Sequence, residues 1–324
     1  MADIPITDLI DPAKNLSVED WLELMEDIGE DHGFFEPLGP DHSAIYIEGS
    51  SVLLVTFETI EAVRSRASTD VPLGWELASK NKWAQLCLLS STETWFRHRA
   101  IYQFFDRLVD DGFFDDFDKV VFYGANSCGY AAAAFSVVAP GSTVIALQPQ
   151  ATLNPRIIEW DNRFDYMRRV SFTDRYGYAP DMLDAAHDAF VLYDPEVDED
   201  AMHAALFTRQ NVTKLRCRYV GGEVENFLRR MDILEPLIEK AMAGNLTTGD
   251  FYKMFRERRN YLPYLRRFLS AVEEQQRPLL TALLCRSVLT RINTPRFRRQ
   301  LTRAQRQLSE KGAHLPEPRN KQTV

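Results

Sequence analysis

The most regular hydrophobic pattern in the chain lies between residues 119 and 147. Lys119-Val120-Val121-Phe122-Tyr123 is a short apolar run of β-branched and aromatic residues, which predicts a buried strand. Gly124-Ala125-Asn126-Ser127-Cys128-Gly129 follows as a turn of small residues. Tyr130–Val138 then carries four successive alanines and almost no polar face, and Ser142–Leu147 is a second apolar run. Strand, tight turn, helix and strand in about thirty residues make a βαβ unit, with two parallel strands and a right-handed crossover. A helix that is apolar all round has to be buried against the sheet.

The alternation continues on both sides. Ser17–Asp31 predicts a helix: Ser17 caps it, Glu19 and Asp20 occupy the first turn, and Trp21, Leu22, Leu24, Met25 and Ile28 form its stripe. Ala44–Ile47 and Val52–Phe57 read as strands joined by Glu48-Gly49-Ser50-Ser51, a hairpin at a sheet edge. Trp83–Leu89, Ala189–Tyr193 and Val212–Val220 read as strands, and Arg99–Val109, Asp181–Ala186 and Asp200–Leu206 as helices. The expected fold class is therefore α/β, a doubly wound and mostly parallel sheet, over residues 1–244. Beyond Glu223 no strand pattern appears. Helical periodicity runs through Leu237–Met242, Leu262–Val272, Pro278–Leu289 and Arg296–Leu308, so residues 245–324 are expected to form an all-helical extension.

Composition narrows the class without naming a substrate. Hydrophobic residues at 45% and charged ones at 26% exclude a disordered or collagen-like chain. Met1–Asn15 carries three aspartates and one lysine, the opposite of a signal peptide, and no window supplies the 18–20 apolar residues of a membrane span. Cys87, Cys128, Cys217 and Cys285 are scattered, and the six histidines show no H-x-x-x-H spacing. No metal and no cofactor is implied, and four reduced thiols in a cytoplasmic protein are expected. The net charge of −9 divides unevenly. From Phe251 to Val324 there are 17 Lys and Arg against 5 Asp and Glu, whereas residues 1–250 hold 21 against 42. The basic tail is expected to dock either on the acidic body or on an anionic partner.

Tyr123-Gly124-Ala125-Asn126-Ser127-Cys128-Gly129-Tyr130-Ala131-Ala132 resembles the nucleophile elbow of α/β-hydrolase-fold proteins, in the variety Tyr-Gly-x-Ser-x-Gly-Gly-Tyr-x-Ala. The resemblance implies an α/β-hydrolase-like sheet, an acid after a late strand and a histidine after the last one. Aligned on Gly124 and on Gly129-Tyr130, the nucleophile position holds Asn126, with Cys128 in place of the first following glycine. Shifted by one residue, it holds Ser127. Asp194 fits the acid, and Gly222 stands where the histidine belongs. His98, His187 and His203 are the candidates for a displaced base. Two readings follow: a degenerate scaffold whose elbow binds a small molecule or a protein, and a serine esterase or acyltransferase using Ser127 and Asp194. A second resemblance, carried by Phe34-Phe35-Glu36-Pro37-Leu38-Gly39 and Arg175-Tyr176-Gly177-Tyr178-Ala179-Pro180, is to bacterial chains labelled phosphoadenosine phosphosulfate reductase. The phosphate loop and Glu-Cys-Gly-x-His nucleophile of true reductases have no counterpart in this sequence, where Cys285 lies on an amphipathic helix.

Overall fold

The computed structural model describes residues 16–66 and 70–317, so the acidic segment Met1–Asn15 lies outside the described residues. The chain divides into two compact units. The first runs to Asn226 and includes Leu234–Phe251; the second comprises Phe227–Ile233 and the residues from Tyr252 onward.

The first unit is an eight-stranded sheet. Its strands are β1 (Gly33–Pro37), β2 (His42–Ile47), β3 (Ser50–Thr59), β4 (Trp83–Ser90), β5 (Lys119–Ala125), β6 (Thr143–Leu147), β7 (Asp188–Tyr193) and β8 (Val212–Arg216), in the order β1-β2-β4-β3-β5-β6-β7-β8. Only β2 runs against its neighbours; from β4 to β8 every pairing is parallel. This is the α/β-hydrolase-like arrangement that the elbow implied. Side-chain alternation along the strands splits the core in two. Ala84, Leu86 and Leu88 of β4 belong to the cluster under the helices Arg99–Asp110 and Ser127–Phe135. Cys87 and Leu89, which point the other way, pack with Trp21, Met25 and Trp75.

Two local expectations need correction. The hairpin read between Ala44–Ile47 and Val52–Phe57 does not form: β2 pairs with β1 and β4, while β3 lies between β4 and β5. The edge hairpin is instead β1–β2, with Gly33 opposite Ile47 and Pro37 opposite Ser43. The strand expected over Val212–Val220 stops at Arg216, because Tyr219 (φ 69°) and Gly221 (φ 71°) turn the chain out of extended geometry.

Around the sheet, the helix predicted from Ser17 runs over Val18–His32, and the Ser17 hydroxyl accepts from the Asp20 N–H at 3.0 Å. The second unit contains the helices Leu262–Glu274, Pro278–Leu289 and Pro295–Glu310. Phe297, Ala304 and Leu308 form the buried stripe of the last one, leaving Arg296, Arg299, Arg303 and Arg306 exposed. Among the described residues no helix is long and apolar enough to cross a membrane.

Candidate functional site

β5 delivers the chain into the turn at the carboxyl end of the sheet, and the turn's geometry follows from its small residues. Asn126 has φ 56° and ψ −122°, a combination costly for a residue with a side chain and typical of strained functional turns. Its N–H donates to the Leu147 carbonyl at 2.8 Å, and its own carbonyl accepts from Tyr130 N–H at 3.0 Å. A Cβ on Gly124 would stand 2.1 Å from the Cys128 carbonyl oxygen, and one on Gly129 2.8 Å from the Leu147 carbonyl. Both glycines are required by backbone approaching backbone. Gly124→Ala is therefore expected to destabilise the fold by about 1–3 kcal/mol, read as a lower urea midpoint.

The positive φ at Asn126 makes it the apex of the turn. Ser127 is the first residue of the helix Ser127–Phe135 and only 4% exposed, whereas Asn126 is exposed. All nine residues of that helix are buried. Cys128 is among them, and burial holds its thiol well above the usual range. The Tyr130 hydroxyl donates to the Tyr176 carbonyl and accepts from Arg97 Nη1 at 3.2 Å. These contacts fix the helix under the elbow.

Asp194 follows β7 and is 1% exposed. Its carboxylate accepts from Glu196 N–H at 2.9 Å and from Gly221 N–H at 2.5 Å, so the acid lies beside the segment after β8 and one residue from Gly222. A Cβ on Gly222 would meet no atom within 4 Å. None of the candidate histidines lines the cavity at the elbow. His203 is fully buried: Nδ1 accepts from Ala151 N–H at 3.1 Å, which leaves Nε2–H to donate to Asp161 at 2.9 Å. His98 Nδ1 accepts from Ala100 N–H at 3.2 Å, capping a helix, and exposed His187 pairs with Asp188 at 2.9 Å.

The cavity has a volume of ≈ 260 Å³, and its wall includes Asn126, Ser127, Glu58, Glu93, Arg66 and Glu225. A buried ion network underlies it. The Glu58 carboxylate accepts from the Arg66 guanidinium, from Leu73 N–H at 3.0 Å and from the Thr56 hydroxyl at 3.1 Å. Arg66 also lies 3.9 Å from Glu225, which accepts from the Tyr123 hydroxyl at 3.0 Å. Burial opposes the Arg66 charge, but Glu58 and Glu225 more than offset it and hold the guanidinium protonated. Sequence reasoning missed this network. Its one visible signal was the pair of polar residues Thr56 and Glu58 inside an apolar strand.

No protein-family model matches the chain, and no curated protein matches it. Solved structures do. The esterase of Pyrobaculum calidifontis aligns over 74% of this chain and 99% of its own, with 13% identity and a TM-score of 0.42. The capsule O-acetyltransferase of Neisseria meningitidis serogroup A aligns over 65% of this chain and 99% of its own, with 8% identity and a TM-score of 0.40. Est1E from Butyrivibrio proteoclasticus aligns over 64% and 98%, with 11% identity and a TM-score of 0.41.

Proposed function

We propose that the chain is a binding protein on an α/β-hydrolase-like scaffold, its elbow cavity taking a small ligand or a partner segment without serine chemistry. The observation that carries this reading is the residue at the apex of the elbow. Asn126 presents a neutral carboxamide, which has no nucleophilic oxygen to make an acyl-enzyme. Three further features support it. Ser127 is buried in the first helical position, no histidine stands on the cavity wall among the described residues, and Gly222 replaces the base. Among the described residues, the carboxylates of Glu58, Glu61, Glu93 and Glu225 outnumber the cation Arg66 on that wall. Such a wall suits a ligand rich in hydrogen-bond donors, hydroxyl or amine.

A fluorophosphonate probe on the purified chain tests this directly. The expected result is labelling no stronger than that of Ser127→Ala. Strong labelling that disappears in Ser127→Ala overturns the proposal in favour of an esterase or acyltransferase using Ser127 and Asp194. The scaffold also makes a positive prediction. Asn126→Ser combined with Gly222→His places a hydroxyl at the apex and an imidazole one residue from the Gly221 N–H that Asp194 accepts, at a position where a Cβ meets no neighbouring atom. The double variant is expected to gain fluorophosphonate labelling that neither single variant matches.

Nothing supports the reductase reading. Cys285 is fully buried, and desolvation, with Glu273 adding to it, pushes its thiol up to about 11, whereas attack needs the thiolate. Consumption of phosphoadenosine phosphosulfate with a thioredoxin donor, lost in Cys285→Ser, is the result that would revive it.

A further inference from the structure

We propose that Asn126 is a self-modification site, at which the backbone nitrogen of Ser127 closes on the Asn126 carboxamide and converts it to a carboxylate. The ring that must form contains the Asn126 Cα, Cβ, Cγ and carbonyl carbon and the Ser127 nitrogen. It can close only where Cβ and the Ser127 nitrogen are eclipsed about the Cα–C bond. In an L-residue the torsion from Cβ to the next nitrogen equals ψ plus 120°, by tetrahedral geometry at Cα. At ψ −122° the two atoms are eclipsed. A residue in a regular helix or strand sits roughly 80–105° away from that alignment and must rearrange its backbone first. At the elbow only a side-chain rotation remains, so the strained turn holds the reacting atoms near their attack geometry.

The surroundings favour the same step. The Asn126 side chain makes no capping hydrogen bond and is exposed, so it is free to rotate and open to water. Ser127, in the first helical position, has no intrahelical acceptor for its N–H. The N-terminal field of its helix favours loss of that proton and favours a carboxylate at the cap, while the cavity's glutamates oppose it.

In the first step the Ser127 nitrogen gives up its proton and forms a bond to Cγ. The Cγ–NH2 bond breaks, and the amide nitrogen takes up the proton and leaves as ammonia. In the second, water opens the resulting cyclic imide. Its oxygen bonds to either carbonyl carbon, the bond from that carbon to the Ser127 nitrogen breaks, one hydrogen goes to the nitrogen and the other is released as the carboxylate ionises, giving aspartate or isoaspartate at position 126. Nothing is oxidised or reduced, and water is the only co-reactant. The product replaces the neutral amide at the apex by a charge, so the cavity exists in two electrostatic states. This inference rests on backbone geometry and not on the binding reading: a fluorophosphonate result of either kind leaves it standing.

The test is peptide mass spectrometry of the full chain after incubation in heavy-oxygen water at mildly alkaline pH. The folded chain is compared with the same chain held in urea. Exchange of NH for labelled oxygen at Asn126 is expected about tenfold faster in the folded chain, with isoaspartate detectable by methyltransferase labelling. Asn126→Gln, whose ring would be one atom larger, is expected to abolish the signal in that peptide. A folded-state rate equal to or below the rate in urea overturns the proposal, and this comparison stands even if the glutamine variant does not fold.

Discussion

Arg66→Ala lowers the stability of the fold by about 3–5 kcal/mol, the cost of breaking a buried ion pair from one side. Glu58 is 3% and Arg66 7% exposed, so neither charge is repaid by water once its partner is gone. The variant leaves the Glu58 carboxylate with neutral donors, Leu73 N–H, the Thr56 hydroxyl and the Cys87 thiol, and takes away the cation 3.9 Å from Glu225. Urea denaturation reads the loss as a reduced midpoint at unchanged slope. A double variant separates the electrostatic cause from lost packing. The second variant Glu58→Gln, added to Arg66→Ala, recovers part of the deficit because the buried charge is gone. A deficit below about 1 kcal/mol, of the size seen for exposed pairs, would refute the network's structural role.

The same network marks where sequence reasoning stops. The βαβ unit, the tight turn after β5 and the strand that ends just before Asp194 were legible because each is fixed by neighbours in the chain. A strand, a turn that admits only small residues and an apolar helix determine one another within ten positions. The pairing of β2 with β4, and not with β3, is set by which crossovers pack on which face, so adjacent strands in sequence were misread as adjacent in space. β1 escaped because its five residues are exposed or half-buried throughout and show no alternation. The helix Leu73–Asn81, unread in the sequence, begins after Pro72 and carries Gly74 in its first turn, both poor helix signals. Glu58, Arg66 and Glu225 come from a strand, a loop and a late helix. No spacing rule unites them. At the elbow the sequence left two residues in contention for the apex, and only backbone dihedrals distinguish them: Asn126 takes the positive φ, and Ser127 opens the helix.

His42 gives the fold a pH dependence of its own. It sits at the start of β2, 6% exposed, with Nε2 2.7 Å from the Thr94 hydroxyl and Nδ1 without a partner. The Phe96 ring lies 5.5 Å away and the His98 ring 5.9 Å away. Burial, and secondarily His98, lower its pKa from 6.5 to about 4, against a smaller opposing pull from Asp41. The sign follows from proton counting. Between pH 6.5 and 4 the unfolded chain binds a proton at this residue that the folded chain refuses. The stability contributed by neutral His42 is therefore complete above pH 6.5 and is lost as the pH falls toward 4. The shift corresponds to about 3 kcal/mol. His42→Gln keeps a donor for Thr94 and has nothing to titrate. The drop in unfolding free energy from pH 7 to pH 4 should then shrink by about that amount, the other titrating groups being common to both proteins. An unchanged drop would mean that His42 is protonated in the folded chain, with its free Nδ1 facing water after all.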